Sequence, residues 1–203
     1  MSTLAVCTPA QRVTRSLLGY GVIAGPVYVT VALTQALTRD GFDLTRDAWS
    51  TLALGPLGWI QTLNFVLAGL MSAAFAVGLG RALPGARWAP RLAAVYAASL
   101  LAAAAFEADP TPATGETATV SWHGMLHLVA GAVGFAAFAI AMFAVGKRLL
   151  PAYSRATGVV LLAGFACVAT GGGAVWANLA FTAAIVLTWT WMSVVAVKLY
   201  KTV

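Results

Sequence analysis

Apolar residues run along this chain in six blocks, about 17–37, 57–79, 92–106, 121–145, 157–170 and 175–197. Charged residues, prolines and turn formers gather in the short stretches between them. A bilayer core takes roughly 20 apolar residues of helix, so each block predicts a membrane-spanning helix. The expected fold is all-α: an integral membrane bundle of six transmembrane helices, read as a single transmembrane domain over 1–203. No block predicts a strand.

Details within the blocks sharpen that picture. Pro26 interrupts the first, which membrane helices tolerate because neighbouring groups re-satisfy the freed carbonyl; a kink is expected there. In the loop that follows, Asp43 is placed to N-cap a short interfacial helix whose Trp49 and Leu52 would dip into lipid. Gln61 and Asn64 share a face of the second block. The third is short and rich in alanine, as a closely packed helix would be. Pro110, Pro112 and Gly115 predict irregular backbone after it, and 171–174 a tight turn. Gly124, Gly131, Gly134, Gly158 and Gly164 predict close helix contact. No heptad seam, repeat or duplication is evident.

Composition agrees with a bilayer solvent. The chain is 61% hydrophobic and 9% charged, against about a quarter charged in soluble domains. The 203 residues leave no room for a separate soluble domain. The apolar run near the N-terminus is too long for a signal peptide and reads as a retained span. Cys7 and Cys167 do not suggest a disulfide framework, and Cys7 lies in no convincing lipidation context.

Charge adds a direction. The formal +6 comes from basic residues scattered between spans, not from a patch, so nucleic acid is not an expected partner. In a six-span arrangement ten basic residues fall on one side, Arg12, Arg15, Arg81, Arg87, Arg91, Lys147, Arg148, Arg155, Lys198 and Lys201. Arg39, Arg46 and all six acids fall on the other. The positive-inside rule then predicts a multi-pass cell-membrane protein with both termini cytoplasmic and acidic loops extracytoplasmic. Trp49, Trp59, Trp122 and Trp176 are expected in the outer aromatic belt.

Candidate chemistry concentrates where the third block ends and the fourth begins. Glu107, Asp109 and Glu116 precede His123 and His127, the only two histidines. Four residues apart, the histidines share one helix face. Gln61, Asn64, Asn178 and Asp47 are expected to line an outward-facing pocket with them. Two imidazoles and a carboxylate match the ligands of a divalent metal such as zinc, with His123, His127 and Asp109 as the set. The same groups, with Glu107, could do acid–base catalysis. Set against both is a structural reading, in which the histidines bond Glu107 or Asp109 and lock loop to helix.

Several alternatives fit less well. His-Gly-Met-Leu-His lacks the Glu of the His-Glu-x-x-His metalloprotease motif. Bis-histidine haem in a membrane bundle draws ligands from different helices, and only one helix here has any. Asp40, Asp43 and Asp47 with Arg39 and Arg46 read as loop ion pairs. Ser50 and Ser121 would be nucleophiles only if a histidine reached them. Thr188 to Met192 reads as packing or lipid-facing aromatics. With no strand before a glycine-rich loop, nucleotide hydrolysis is excluded.

The segments Phe42-Asp-Leu-Thr-Arg-Asp-Ala-Trp-Ser-Thr-Leu-Ala-Leu-Gly with Gly58-Trp-Ile-Gln-Thr-Leu-Asn-Phe, and Phe106-Glu-Ala-Asp-Pro with His123-Gly-Met-Leu-His, are similar to motifs of one family. The chain resembles, over nearly its whole length, the six-span bacterial membrane proteins filed as domain of unknown function 998, common in actinomycetes. The resemblance implies fold and topology and marks Asp109, His123 and His127 as pattern positions. It implies no activity. The expectations for function are therefore a membrane-embedded enzyme acting on a lipid or isoprenoid, or a non-catalytic binding, sensing or accessory protein. Small-molecule transport is less favoured, because broken helix pairs and a midplane charge are missing.

Overall fold

The computed structural model describes residues 7–111, 119–171 and 174–203. Six helices are long and apolar enough to cross a membrane: α1 (Pro9–Thr38), α2 (Gly58–Ala82), α3 (Trp88–Ala105), α4 (Trp122–Gly146), α5 (Pro151–Thr170) and α6 (Val175–Thr202). Among the described residues there is no strand. Each helix packs on its neighbours in sequence, and α6 returns to α1, so the six close a ring. Pro112, Gly115, Glu116 and the turn residues 172–173 lie outside the described residues.

Helix α1 runs unbroken through Pro26. Proline cannot donate to the carbonyl four residues back, which leaves Val22 O free. Ser193 Oγ on α6 donates to that carbonyl at 3.0 Å, so the expected re-satisfaction comes from a neighbouring helix. Gly25 lies against the backbone of Trp189 at the same crossing.

The ring has two unlike ends. At the basic end Arg81 Nε donates to Thr14 Oγ1 at 2.9 Å, and Arg15 sits 5.6 Å over the Tyr200 ring. At the acidic end Arg39 Nη1 donates to the carbonyls of Leu52 at 2.6 Å and Leu54 at 3.2 Å. Asn178 Nδ2 donates to the carbonyls of Leu44 at 2.8 Å and Asp47 at 3.0 Å. The α1–α2 loop is thereby tied to α6.

That loop corrects one expectation. No helix starts at Asp43; its carboxylate instead accepts from the Thr45 N–H at 2.9 Å and hydroxyl at 2.6 Å in a local turn. The helical turn is a 3-10 segment, Trp49–Ala53. Trp49 and Leu52 do not enter lipid: they are 5% and 0% exposed, part of the protein core. The physical reason is that the ring's acidic end would otherwise be open, and Trp49 fills it against Tyr28, 6.1 Å between centroids. Trp59, Trp122 and Trp176 are exposed at that end, where a belt belongs.

The glycines of the small-residue pattern divide by role. Gly134 faces Ser99 on α3, Gly158 faces Phe143 on α4, and Gly164 faces Ala184 on α6, with no free space for a Cβ. Gly131 does not: a Cβ there would be 3.7 Å from Phe165, in ordinary contact. It borders a cavity.

Candidate functional site

The cavity lies within the ring toward the acidic end and holds about 410 Å³. Arg46, Ser50, Asp109, His127 and Asn178 form its rim, and Tyr28, Trp49, Phe65 and Tyr96 form one wall. The wall contributed by α4, α5 and α6 is apolar, with Gly131, Phe135, Phe165, Val168, Phe181 and Ile185. Leu128, on the second turn of α4, and Ala169, on the last turn of α5, border it and are exposed. Its size falls within the 300–1,000 Å³ range of small-molecule sites.

The expected cluster at the rim is present, but its bonds go mostly to backbone. Ser121 N-caps α4, its hydroxyl oxygen accepting from Gly124 N–H at 3.0 Å. It also donates to Asp109 Oδ1 at 2.6 Å, while its N–H donates to Oδ2 at 3.0 Å. These two bonds hold the Asp109 carboxyl below the usual carboxylate range, with smaller contributions from His123 and His127. Gly124 is needed here, because a Cβ would land on the Asp109 carboxylate.

The Ser121 bonds also fix the histidine tautomers. Ser121 has one hydroxyl proton, and it goes to an ionised carboxylate that can only accept. His123 Nδ1, 2.9 Å from Ser121 Oγ and 3.3 Å from Glu107 O, must therefore be the donor. His127 Nδ1 lies 2.8 Å from Phe106 O, again an acceptor. Phe106 is the C-cap of α3, so two α4 imidazoles bind the carbonyls at the C-terminal end of α3, a favourable place for N–H donors. In each neutral ring Nε2 is left with a lone pair.

These bonds separate residues expected to act together. His127 borders the cavity; His123 does not. Glu107 is exposed, and among the described residues its carbonyl is engaged while its carboxylate is not, so His123 and His127 bond backbone carbonyls where the Glu107 carboxylate was an expected partner. Among the described residues no three His, Cys, Asp or Glu side chains are placed to hold a metal ion, so the set His123, His127 and Asp109 does not converge on one point. A histidine does reach Ser121, but its hydroxyl is already spent on the cap and on Asp109.

Of the expected pocket-lining residues, Asn178 borders the cavity. Gln61 and Asn64 are buried between α1 and α2: Gln35 Nε2 donates to Gln61 Oε1 at 3.0 Å, Asn64 Nδ2 to the same atom at 3.2 Å, and Gln61 Nε2 to Tyr28 Oη at 3.4 Å. Asp47 is buried, accepts from Asp43 N–H at 2.9 Å and lies 3.7 Å from Arg46 Nε, the one ion pair among the described residues. It shapes the loop and does not face the cavity. Sequence reasoning missed Tyr28 and Tyr96; the available signal was a phenol in the middle of a membrane span.

A family model described as Protein of unknown function (DUF998) matches residues 22–198. The chain belongs to that family. No curated protein and no solved structure matches it. In this DUF998 chain the matched region contains every residue of the rim and the cavity walls.

The bonded carboxylate gives a pH prediction. A lowered folded-state pKa contributes stability that is complete above the unfolded value, about 3.9 for Asp, and disappears as pH falls through the folded value. Asp43, lowered by its Thr45 bonds, behaves alike. Melting temperature should therefore fall on acidification below about pH 4, and Asp109→Asn should flatten part of that limb. An identical acid limb in the variant would show that the Ser121 bonds are not what stabilises the carboxylate.

Proposed function

We propose that this protein binds an amphiphilic molecule of lipid or isoprenoid type, its apolar part against α4, α5 and α6 and its polar group at the His127–Asp109–Asn178 rim. The cavity carries this reading: a large space with an apolar wall and a polar rim inside a bundle that sits in a bilayer. With both termini cytoplasmic, as the charge asymmetry supports, the rim faces the outer leaflet of the cell membrane.

A second reading adds catalysis, because one observation favours it. His127 Nε2 has a lone pair and its ring borders the cavity, so it can accept a proton from a bound hydroxyl while the Phe106 carbonyl holds the ring in place. Acid–base chemistry at this one imidazole suits the geometry better than a metal centre.

The test is occupancy. Gly131→Phe places a ring in the cavity from a position where the Cβ itself is accommodated. Purified wild type should retain membrane-derived lipid or isoprenoid, identified by extraction and mass spectrometry. The variant should retain little and melt at a similar temperature. Equal retention by both proteins would sink the proposal.

A further inference from the structure

Tyr28 and Tyr96 stand on different helices at one depth. Tyr28 is ten residues inward from the acidic end of α1 and Tyr96 nine residues inward from that end of α3. At 1.5 Å per residue both lie ~14–15 Å below the helix ends, near the middle of the bilayer core. Trp189 fixes both, its ring 5.0 Å from Tyr28 and 6.0 Å from Tyr96. Both border the cavity.

Among the described residues their hydroxyl protons meet no acceptor. The Tyr28 oxygen accepts from Gln61 Nε2 at 3.4 Å, and Gln61 is held by Gln35 and Asn64. This leaves the Tyr28 proton without an acceptor among the described residues. The Tyr96 hydroxyl has no partner there either. Trp49, on the same wall, is 5% exposed and its indole N–H is buried without an acceptor. Two phenolic protons without an acceptor among the described residues thus border the cavity at a depth where an unmet polar group is costly.

We infer that this wall receives an uncharged hydrogen-bond acceptor, a carbonyl of ketone, ester or quinone type, carried by the amphiphile. The inference rests on the binding reading above and specifies its ligand. The acceptor is neutral because the cation bordering the cavity among the described residues, Arg46, belongs to the rim, and an anion at this depth would stay uncompensated. An aromatic wall of Tyr28, Phe65 and Tyr96 suits a flat carbonyl group.

The probes are a long-chain methyl ketone with a ¹³C carbonyl and the alkane of equal length, offered in detergent to the delipidated full chain. Wild type should retain the ketone roughly tenfold better than the alkane, as one or two net hydrogen bonds would give, with the carbonyl stretch shifted to lower frequency. Tyr28→Phe with Tyr96→Phe keeps both rings, so alkane retention should persist while the ketone preference and the band shift vanish. A preference unchanged in the double variant overturns the inference. Equal retention of both probes by wild type, lost in Gly131→Phe, also overturns it and leaves amphiphile binding standing. Retention of neither probe overturns both.

Discussion

Trp189→Ala is expected to lower stability by about 3–5 kcal/mol, the usual cost of deleting a buried tryptophan, seen as a fall of roughly 10 °C in melting temperature. Trp189 is 1% exposed. Its ring stacks on Tyr28 and packs against Tyr96, and its backbone meets Gly25 where α1 passes α6. The void would open in the interior of the ring, behind the Tyr28 and Tyr96 rings, so the contacts of the indole are lost. The void would also adjoin the cavity wall, releasing both tyrosines. The variant should therefore lose discrimination between ketone and alkane along with stability. A melting temperature within about 2 °C of wild type would show that α1 and α3 hold the wall without Trp189.

Gly124→Val should be the most damaging change at the rim. The new Cβ would occupy the place of the Asp109 carboxylate, which cannot step aside without losing both bonds to Ser121. Overpacking of this kind costs about 1–3 kcal/mol, and the freed Ser121 hydroxyl and N–H add to it. Among the described side-chain bonds between the α3 end and the start of α4, the two imidazoles and their carbonyls would then remain. Gly131→Ala is the internal control. It lies two turns along the same helix with ordinary room for a Cβ, so it should change stability by no more than about 1 kcal/mol, in the stabilising direction. Thermal unfolding of both variants side by side decides the matter. Similar losses would mean that helix packing in general, and not the Asp109 clamp, is what glycine permits.

The rim was only partly legible in the sequence. Helical spacing put His123 and His127 on one face, and chain order put Asp109 beside them. What spacing could not show is where the second partner of each ring lies. That partner proved to be the carbonyl end of α3, an acceptor present in every helix and therefore invisible as a motif. Gln61 and Asn64 were recognised as a polar face but turn to α1, because Gln35 and Tyr28 offer them amide and phenol partners there. Trp49 was assigned to the interface on its residue type, yet it closes the ring, because filling an open end of the bundle also buries an indole.

Six apolar blocks of membrane-spanning length, separated by short polar turns, determine by themselves that the chain is a six-helix membrane protein. A bilayer admits few other ways to satisfy that much backbone. The sorting of basic and acidic residues likewise gives the two ends their character. Closure of the ring, the cavity inside it and the convergence of Tyr28 and Tyr96 on Trp189 were decided by tertiary structure alone. Those features depend on which faces of distant helices meet, and in a chain apolar on nearly every face no periodicity marks one side as inward.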